Sequence, residues 1–101
     1  MIYHINAEGV INGENYQDEI VTTDLKNAYN FVINHNNQGV NMTVKLWSLD
    51  GEQRGRRNNV VSMISKYNQA TNLGQDFIIL IHVLGCSLGS ATHFLKEMKG
   101  E

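Results

Sequence analysis

The chain has 101 residues, 42% of them hydrophobic and 18% charged, with a formal net charge of −2, one cysteine and no proline. This composition predicts one globular domain over residues 1–101, because there is too little apolar material for a second core. It argues against an internal disulfide, a Cys/His zinc site and any other cofactor site. The longest apolar run, Phe77–Leu84, is far shorter than the roughly 20 residues that cross a bilayer, and no N-terminal secretory signal is visible, so a cytoplasmic location is expected.

Charged residues are unevenly distributed along the chain. Residues 1–24 contain five acidic side chains and neither lysine nor arginine, whereas residues 25–66 contain six basic side chains against Asp50 and Glu52. Two interpretations stay open: the acidic first quarter neutralises the basic middle within one fold, or the surface is dipolar and steers a charged partner to one side. Because the whole chain is acidic, its composition argues against nucleic acid as the partner.

The N-terminal quarter predicts one strand followed by a segment with two readings. Met1–Ile5 alternates in the manner of a short strand. In residues 7–21, Asn12 and Gly13 form the dipeptide favoured in tight hairpin turns, although the apolar flanks are uneven in length. A hairpin and an irregular acidic loop are therefore equal alternatives for this segment.

A helix and a strand follow in the middle of the chain. Apolar residues recur at three- and four-residue spacing from Leu25 to Ile33, which predicts a helix capped by Thr23 and stopped by Gly39. Val40–Leu49 then alternates with β-branched and aromatic residues, which predicts a half-buried strand. If this strand lies at a sheet edge, it offers a route to a homodimer.

The remaining chain predicts a helix, a strand and a last helix. Arg56–Ala70 and Ser90–Lys99 each carry an apolar helical stripe. Between them, FIILIHVL (Phe77–Leu84) is too continuous for a one-sided strand and too short for an independent buried helix. It therefore predicts the central strand of a sheet that is covered on both faces.

This order of elements predicts an α/β fold. The first choice is a small three-layer sandwich, in which a mostly parallel or mixed sheet of three to five strands lies between three helices. If residues 7–21 form a hairpin, the alternative is a mixed sheet in a two-layer α+β arrangement. Both arrangements, and the two candidate sites described next, depend on Phe77–Leu84 being an interior strand.

The segment GCSLGS (Gly85–Ser90) lies between the predicted central strand and the last helix. It matches the GxSxG pattern of a nucleophile elbow, but only 14 residues follow Ser87 and no acidic residue lies between it and His93. Cys86 is a second candidate nucleophile, although a free cysteine at the end of a core strand usually acts as a small hydrophobe. No catalytic residue is therefore predicted.

The same loop also suits an anion. Its glycines let the backbone approach a ligand, its serines add hydroxyl donors, and the first N–H groups of the helix point into the loop. The predicted ligand is a phosphate or a nucleotide, and the predicted contacts are Gly85, Cys86, Ser87, Gly89 and Ser90. Against this, the loop contains no cation and matches no standard phosphate-binding motif, so a glycine turn with a serine cap is the plain alternative.

The segment GEQRGRRNN, residues 51–59, is the other candidate site. Three arginines within four residues, flanked by glycines, predict a mobile loop that offers bidentate contacts to phosphate or carboxylate. Arginine and tryptophan are enriched at the hot spots of protein interfaces. Contact with a larger protein is therefore predicted through Arg54, Arg56, Arg57, Trp47 and Lys45, against the plain alternative of a solvated loop with internal ion pairs.

The sequence thus predicts a non-enzymatic binding or regulatory protein that acts by contact with a larger protein. Thirteen asparagines and no proline fit the bias of an A/T-rich genome. Many small mobile-element proteins come from such genomes, so a phage or other mobile element is the expected source. The competing prediction, from a different class, is a small protein that binds a phosphate or nucleotide at Gly85–Ser90.

Overall fold

In the computed structural model, which describes residues 1–100, four strands form a sheet and four helices pack against it. The strands are β1 (Ile2–Ile11), β2 (Glu14–Thr22), β3 (Asn41–Trp47) and β4 (Gln53–Arg57). The helices are α1 (Leu25–Gln38), α2 (Val60–Ala70), α3 (Gln75–Phe77), which continues into a π-helical segment (Ile78–Val83), and α4 (Leu88–Met98).

The sheet has the strand order β2-β1-β3-β4, and each neighbouring pair is antiparallel. The predicted parallel or mixed sheet is therefore wrong. Residues 7–21 do belong to a hairpin, whose turn is formed by Asn12 and Gly13 with φ angles of 53° and 81°. Asparagine and glycine tolerate this left-handed conformation, which a two-residue hairpin turn requires. The fold is of the α+β type, close to the stated alternative but without a parallel strand pair.

The central helix and strand follow the sequence pattern closely. The helix α1 begins one residue later than the pattern suggests, because the Asp24 side chain rather than Thr23 accepts the hydrogen bond from the Lys26 amide, at 2.9 Å. It ends at Gly39 as expected. The strand β3 lies inside Val40–Leu49, but it is enclosed by β1 and β4 and has no free edge for pairing with a second copy.

The segment Phe77–Leu84 is helical, so the prediction of a central strand is wrong. The Leu84 amide donates to the carbonyl of Ile79 at 2.9 Å, which is the i to i+5 bond of a π-helix. Four residues of the segment are completely buried, and a helix buried on most sides has no polar stripe to reveal its period. The three-layer sandwich is therefore wrong as well. The two candidate sites lose the strand on which their prediction depended, so the case for either one rests only on the observed geometry.

The core lies between the helices and one face of the sheet. In β1, Tyr3, Ile5 and Ala7 are buried while the residues between them are half-exposed, and β3 alternates in the same way. Helical residues such as Val32 and Ile64 belong to the same core. The opposite face of the sheet, called here the open face, carries polar and half-exposed side chains. Within the described residues, no helix combines the length and apolar character needed to cross a membrane.

Candidate partner-binding surface

The three arginines of the sequence lie on β4, an edge strand, and not in a mobile loop. The helix predicted to begin at Arg56 begins instead at Val60, because Gln53–Arg57 pairs with β3. The preceding turn is held by the Ser48 amide, which donates to Glu52 O at 2.8 Å, and by the Gly51 amide, which donates to Ser48 O at 3.1 Å. The basic segment is thus fixed on the sheet.

The turn before β4 is tightened further by side-chain bonds. The Ser48 hydroxyl donates to the Asp50 carboxylate. This bond, together with the backbone N–H of Glu52, lowers the pKa of Asp50. Because the Asp50 carboxylate stays ionised and hydrogen-bonded, side chains of the turn itself hold the β3–β4 connection in its conformation.

The register of β3 and β4 places a basic cluster on the open face. Lys45 is directly opposite Arg56, and Trp47 is opposite Gln53. The register shifts between Leu46 and Trp47, so Arg54 is the extra residue of a β-bulge. We call Lys45, Trp47, Arg54 and Arg56 the basic patch.

Two cations of the basic patch have no anionic partner within residues 1–100. Arg54 pairs with Glu52 at 3.0 Å, whereas Arg56 donates only to the amide oxygen of Asn58, at 3.1 Å. No carboxylate of the described residues forms an ion pair with Lys45 or Arg56. Like charges directly opposite each other across two strands are unfavourable, so the fold carries this pair at a cost.

Arg57 belongs to the fold and not to the basic patch. It is opposite Val44 and therefore faces the helices, where its Nε donates to His82 O at 2.9 Å. That carbonyl lies near the end of the π-helical segment, where backbone oxygens lack helical donors. The His82 ring in turn stacks on Tyr67 with a centroid distance of 4.1 Å. Arg57, predicted as a partner contact, thus ties β4 to the helical layer.

The segment Gly85–Ser90 joins the π-helical segment to α4 and includes the first turn of α4, so it does not follow a strand. Gly85 has a φ of 77°, which glycine adopts without strain, and the Cys86 amide donates to Leu80 O at 2.8 Å. Ser87 caps α4 by accepting from the Ser90 amide at 3.1 Å, and its hydroxyl donates to that of Ser90. The loop is therefore a glycine turn with a serine cap.

The chemistry of the loop follows from this geometry. Partial burial raises the pKa of the Cys86 thiol, which disfavours the thiolate that a nucleophile requires. A phosphate at Gly85, Cys86, Ser87, Gly89 and Ser90 stays a prediction. The prediction is no longer supported by a position at the carboxyl end of a strand, because ligand sites of that kind belong to parallel sheets.

A cluster of three polar side chains, centred on the buried His35, escaped the sequence analysis. His35 on α1 is 6% exposed, and its Nε2 lies 3.0 Å from the Tyr16 hydroxyl and 3.1 Å from Asp18 Oδ2. Its Nδ1–H donates to Phe31 O at 2.7 Å. The Glu19 amide and then the His35 ring lower the pKa of Asp18. The signal in the sequence was the position of His35 on the apolar stripe of α1, three residues after Val32.

The contacts of His35 with Tyr16 and Asp18 attach β2, an acidic edge strand, to helix α1. Opposite β4 in the sheet, β2 is the other edge, and it carries Glu14, Asp18 and Glu19 without a lysine or arginine. Glu19 faces the open side, where it pairs with His4 at 2.6 Å. The uneven charge distribution of the sequence therefore becomes an acidic strand, β2, at one edge of the sheet and a basic strand, β4, at the other.

Comparisons of the chain with protein-family models, with curated proteins and with solved structures found no match. Within residues 1–100, no group of three or more His, Cys, Asp or Glu side chains is arranged to hold a metal ion.

Proposed function

We propose that the protein is a non-enzymatic binding protein that regulates a larger protein by contact through the basic patch. The observation that carries the proposal is the pair Lys45 and Arg56, two cations facing each other without an anion of the described chain between them. Anionic groups of a partner supply the missing counter-charges. Trp47 lies beside the pair on the same face and supplies an aromatic anchor of the kind enriched at interface hot spots.

The backbone of β4 supports the same proposal. It pairs with β3 on one side only, so the N–H and C=O groups of its other side have no neighbouring strand, although the Arg56 carbonyl accepts a hydrogen bond from Arg57 Nη1 at 3.2 Å. An extended segment of a partner adds to such an edge by main-chain hydrogen bonds, while its side chains contact the neighbouring face. The matching partner is an extended acidic segment of a protein, with carboxylates for Arg54 and Arg56 and an apolar residue for Trp47.

Electrostatics determine how such a complex behaves. Carboxylates that meet arginines form charge-assisted and often bidentate hydrogen bonds, which fix the register of the added segment. Exposed ion pairs weaken as salt rises, because the screening length falls to about 3 Å at 1 M. Affinity for the partner is therefore expected to decline steeply between low and high salt.

The test begins with capture of proteins from the native host by the immobilised chain. The captured protein is identified, purified and returned to the purified chain in an isothermal titration. The double substitution Arg54→Glu and Arg56→Glu is expected to weaken binding by at least roughly tenfold, or about 1.4 kcal/mol. Arg57 is left unchanged, because its side chain holds the fold together.

The control is Lys66→Glu, the reversal of one charge at an exposed position of α2 outside β4. It is expected to leave the affinity unchanged. Equal binding by the wild type and the double variant would overturn the proposal. So would tight binding of a single-stranded oligonucleotide at the same patch in place of the protein, since the partner proposed is an acidic protein segment.

A further inference from the structure

The two edges of the sheet are opposite in charge and opposite in direction. Since each of the three strand pairs is antiparallel, β2 and β4 run in opposite directions. A second copy placed beside the first in the same orientation would therefore bring its β2 antiparallel to β4. Its helices would also fall on the same side of the extended sheet.

The faces of the two edges match in this arrangement. Arg56 and Glu19 both lie on the open face, since they are opposite Lys45 and Asn6. Arg57 and Asp18, one position along each strand, both lie on the helical face. In an antiparallel register that sets Arg56 opposite Glu19 of the next copy, Arg57 falls opposite its Asp18. Both cross-strand pairs then join opposite charges, which is the favourable combination.

Symmetric pairings lack this complementarity. Two β4 edges would bring the arginines of both copies together, and two β2 edges would bring the acidic residues Glu14, Asp18 and Glu19 of both copies together. Cross-strand like charges oppose both arrangements. The charges therefore select the head-to-tail contact and disfavour a two-fold dimer.

We propose that copies of this chain associate head to tail, with the basic edge β4 of one copy on the acidic edge β2 of the next. Such a contact is heterologous, so each added copy leaves a free edge at both ends and the assembly grows with concentration. The inference does not rest on the proposed function. It does use the same β4 edge, so an acidic partner and a second copy would compete for it.

The experiment uses sedimentation velocity of the purified chain at low salt, without any partner. The wild-type weight-average sedimentation coefficient is expected to rise continuously with concentration and to return to the monomer value at about 1 M salt. Two variants test the two sides of the contact. Arg54→Glu with Arg56→Glu reverses β4, and Glu19→Lys with the exposed Val21→Lys gives a positive charge to the part of β2 that faces β4. Each variant alone should remain a monomer, because its two edges then carry the same sign of charge.

The decisive sample is the equimolar mixture of the two variants. The reversed β4 of one variant complements the reversed β2 of the other, and their two unreversed edges complement each other as in the wild type. The mixture should therefore regain the concentration-dependent increase of the wild type. Lys66→Glu, which touches neither edge, should behave as the wild type. A wild type that stays monomeric at every concentration would overturn the inference. Self-association of either variant alone, a wild type that stops at a dimer, or a mixture that stays monomeric would also overturn it.

Discussion

Replacing Lys45 by glutamate is expected to stabilise the monomer while it impairs the proposed function. Lys45 faces Arg56 across β3 and β4, and no carboxylate of residues 1–100 pairs with either. The substitution converts a repulsive cross-strand pair into an attractive one, and each such pair is worth roughly 0.2–1 kcal/mol. Because Arg56 is exposed and screened by solvent, a net gain of about 0.5–1 kcal/mol is expected.

For a domain of this size, that gain corresponds to a rise in Tm of about 2–6 °C. Thermal denaturation followed by circular dichroism measures it at low salt, where screening is weakest. The rise should shrink at about 1 M salt, where the screening length falls to about 3 Å. Lys45→Gln, which removes the repulsion without adding attraction, should give a smaller rise. Lys66→Glu should stay within about 0.5 kcal/mol of the wild type.

The reasoning would be refuted by a Tm that falls or does not change in Lys45→Glu at low salt. A gain that persists undiminished at high salt would also refute it, because the effect would then not be electrostatic. The same variant should bind the captured partner more weakly than the wild type. Greater stability combined with weaker binding would show that the repulsion between Lys45 and Arg56 destabilises the fold and that Lys45 serves the binding of a partner.

Three further predictions concern the helical layer and its turns. In Tyr29→Phe, loss of the 2.6 Å bond to Asp76 should cost about 1.5 kcal/mol in urea denaturation at pH 7; an unchanged midpoint would contradict the bond. Burial, and to a smaller extent Asp76, raises the pKa of Tyr29 above its ordinary value of 10.0. The stability of the wild type should therefore fall above pH 10, where the tyrosine of the unfolded chain ionises, and should approach that of Tyr29→Phe. In Ser87→Ala, loss of the cap should cost about 1 kcal/mol with partner affinity unchanged; reduced affinity would implicate the loop in binding. Gly85→Ala should cost roughly 1–2 kcal/mol, because the residue has a φ of 77° and the new Cβ would lie 3.2 Å from Leu46 Cδ1. Gly89→Ala has open space around its Cβ and should be neutral or stabilising in the same thermal melts. Equal losses in the two variants would contradict the turn geometry.

Elements with a visible period were predictable from the sequence. The apolar spacing of α1 and the alternation of β3 survive in the structure because each element buries one side and exposes the other. The turn at Asn12 and Gly13 was recognisable from backbone chemistry, but the uneven apolar flanks concealed the hairpin. The reason is that β2 is an edge strand with a polar exterior, so it needs few apolar residues.

Two segments misled the sequence analysis for opposite reasons. Ile78–Val83 is largely buried and has a single polar residue, His82, which is too little to mark a helical period, and its β-branched residues favoured a strand. Gln53–Arg57 contains no apolar residue, so nothing identified it as a strand. Its place in the sheet comes from pairing with β3 in a hairpin, which the residue types of the segment alone do not encode.

The candidate surface was predicted in composition but not in arrangement. Four of the five predicted contact residues lie together as the basic patch, whereas Arg57 turned out to face the helices. Nothing in the sequence shows that Lys45 and Arg56 are opposite each other, because their relation depends on the bulge between β3 and β4. The acidic counterpart on β2 was visible as a charge bias, but its place at the far edge depends on the strand order.

The most direct test of the proposed function is an NMR titration of the isotope-labelled chain with the purified partner. Binding at the basic patch predicts that the largest chemical-shift changes fall on the amides of β4, on Lys45 and on the indole N–H of Trp47. The amides of β4 that face away from β3 should also become protected from solvent exchange. Changes concentrated at Gly85–Ser90 instead, with β4 unaffected, would contradict the account.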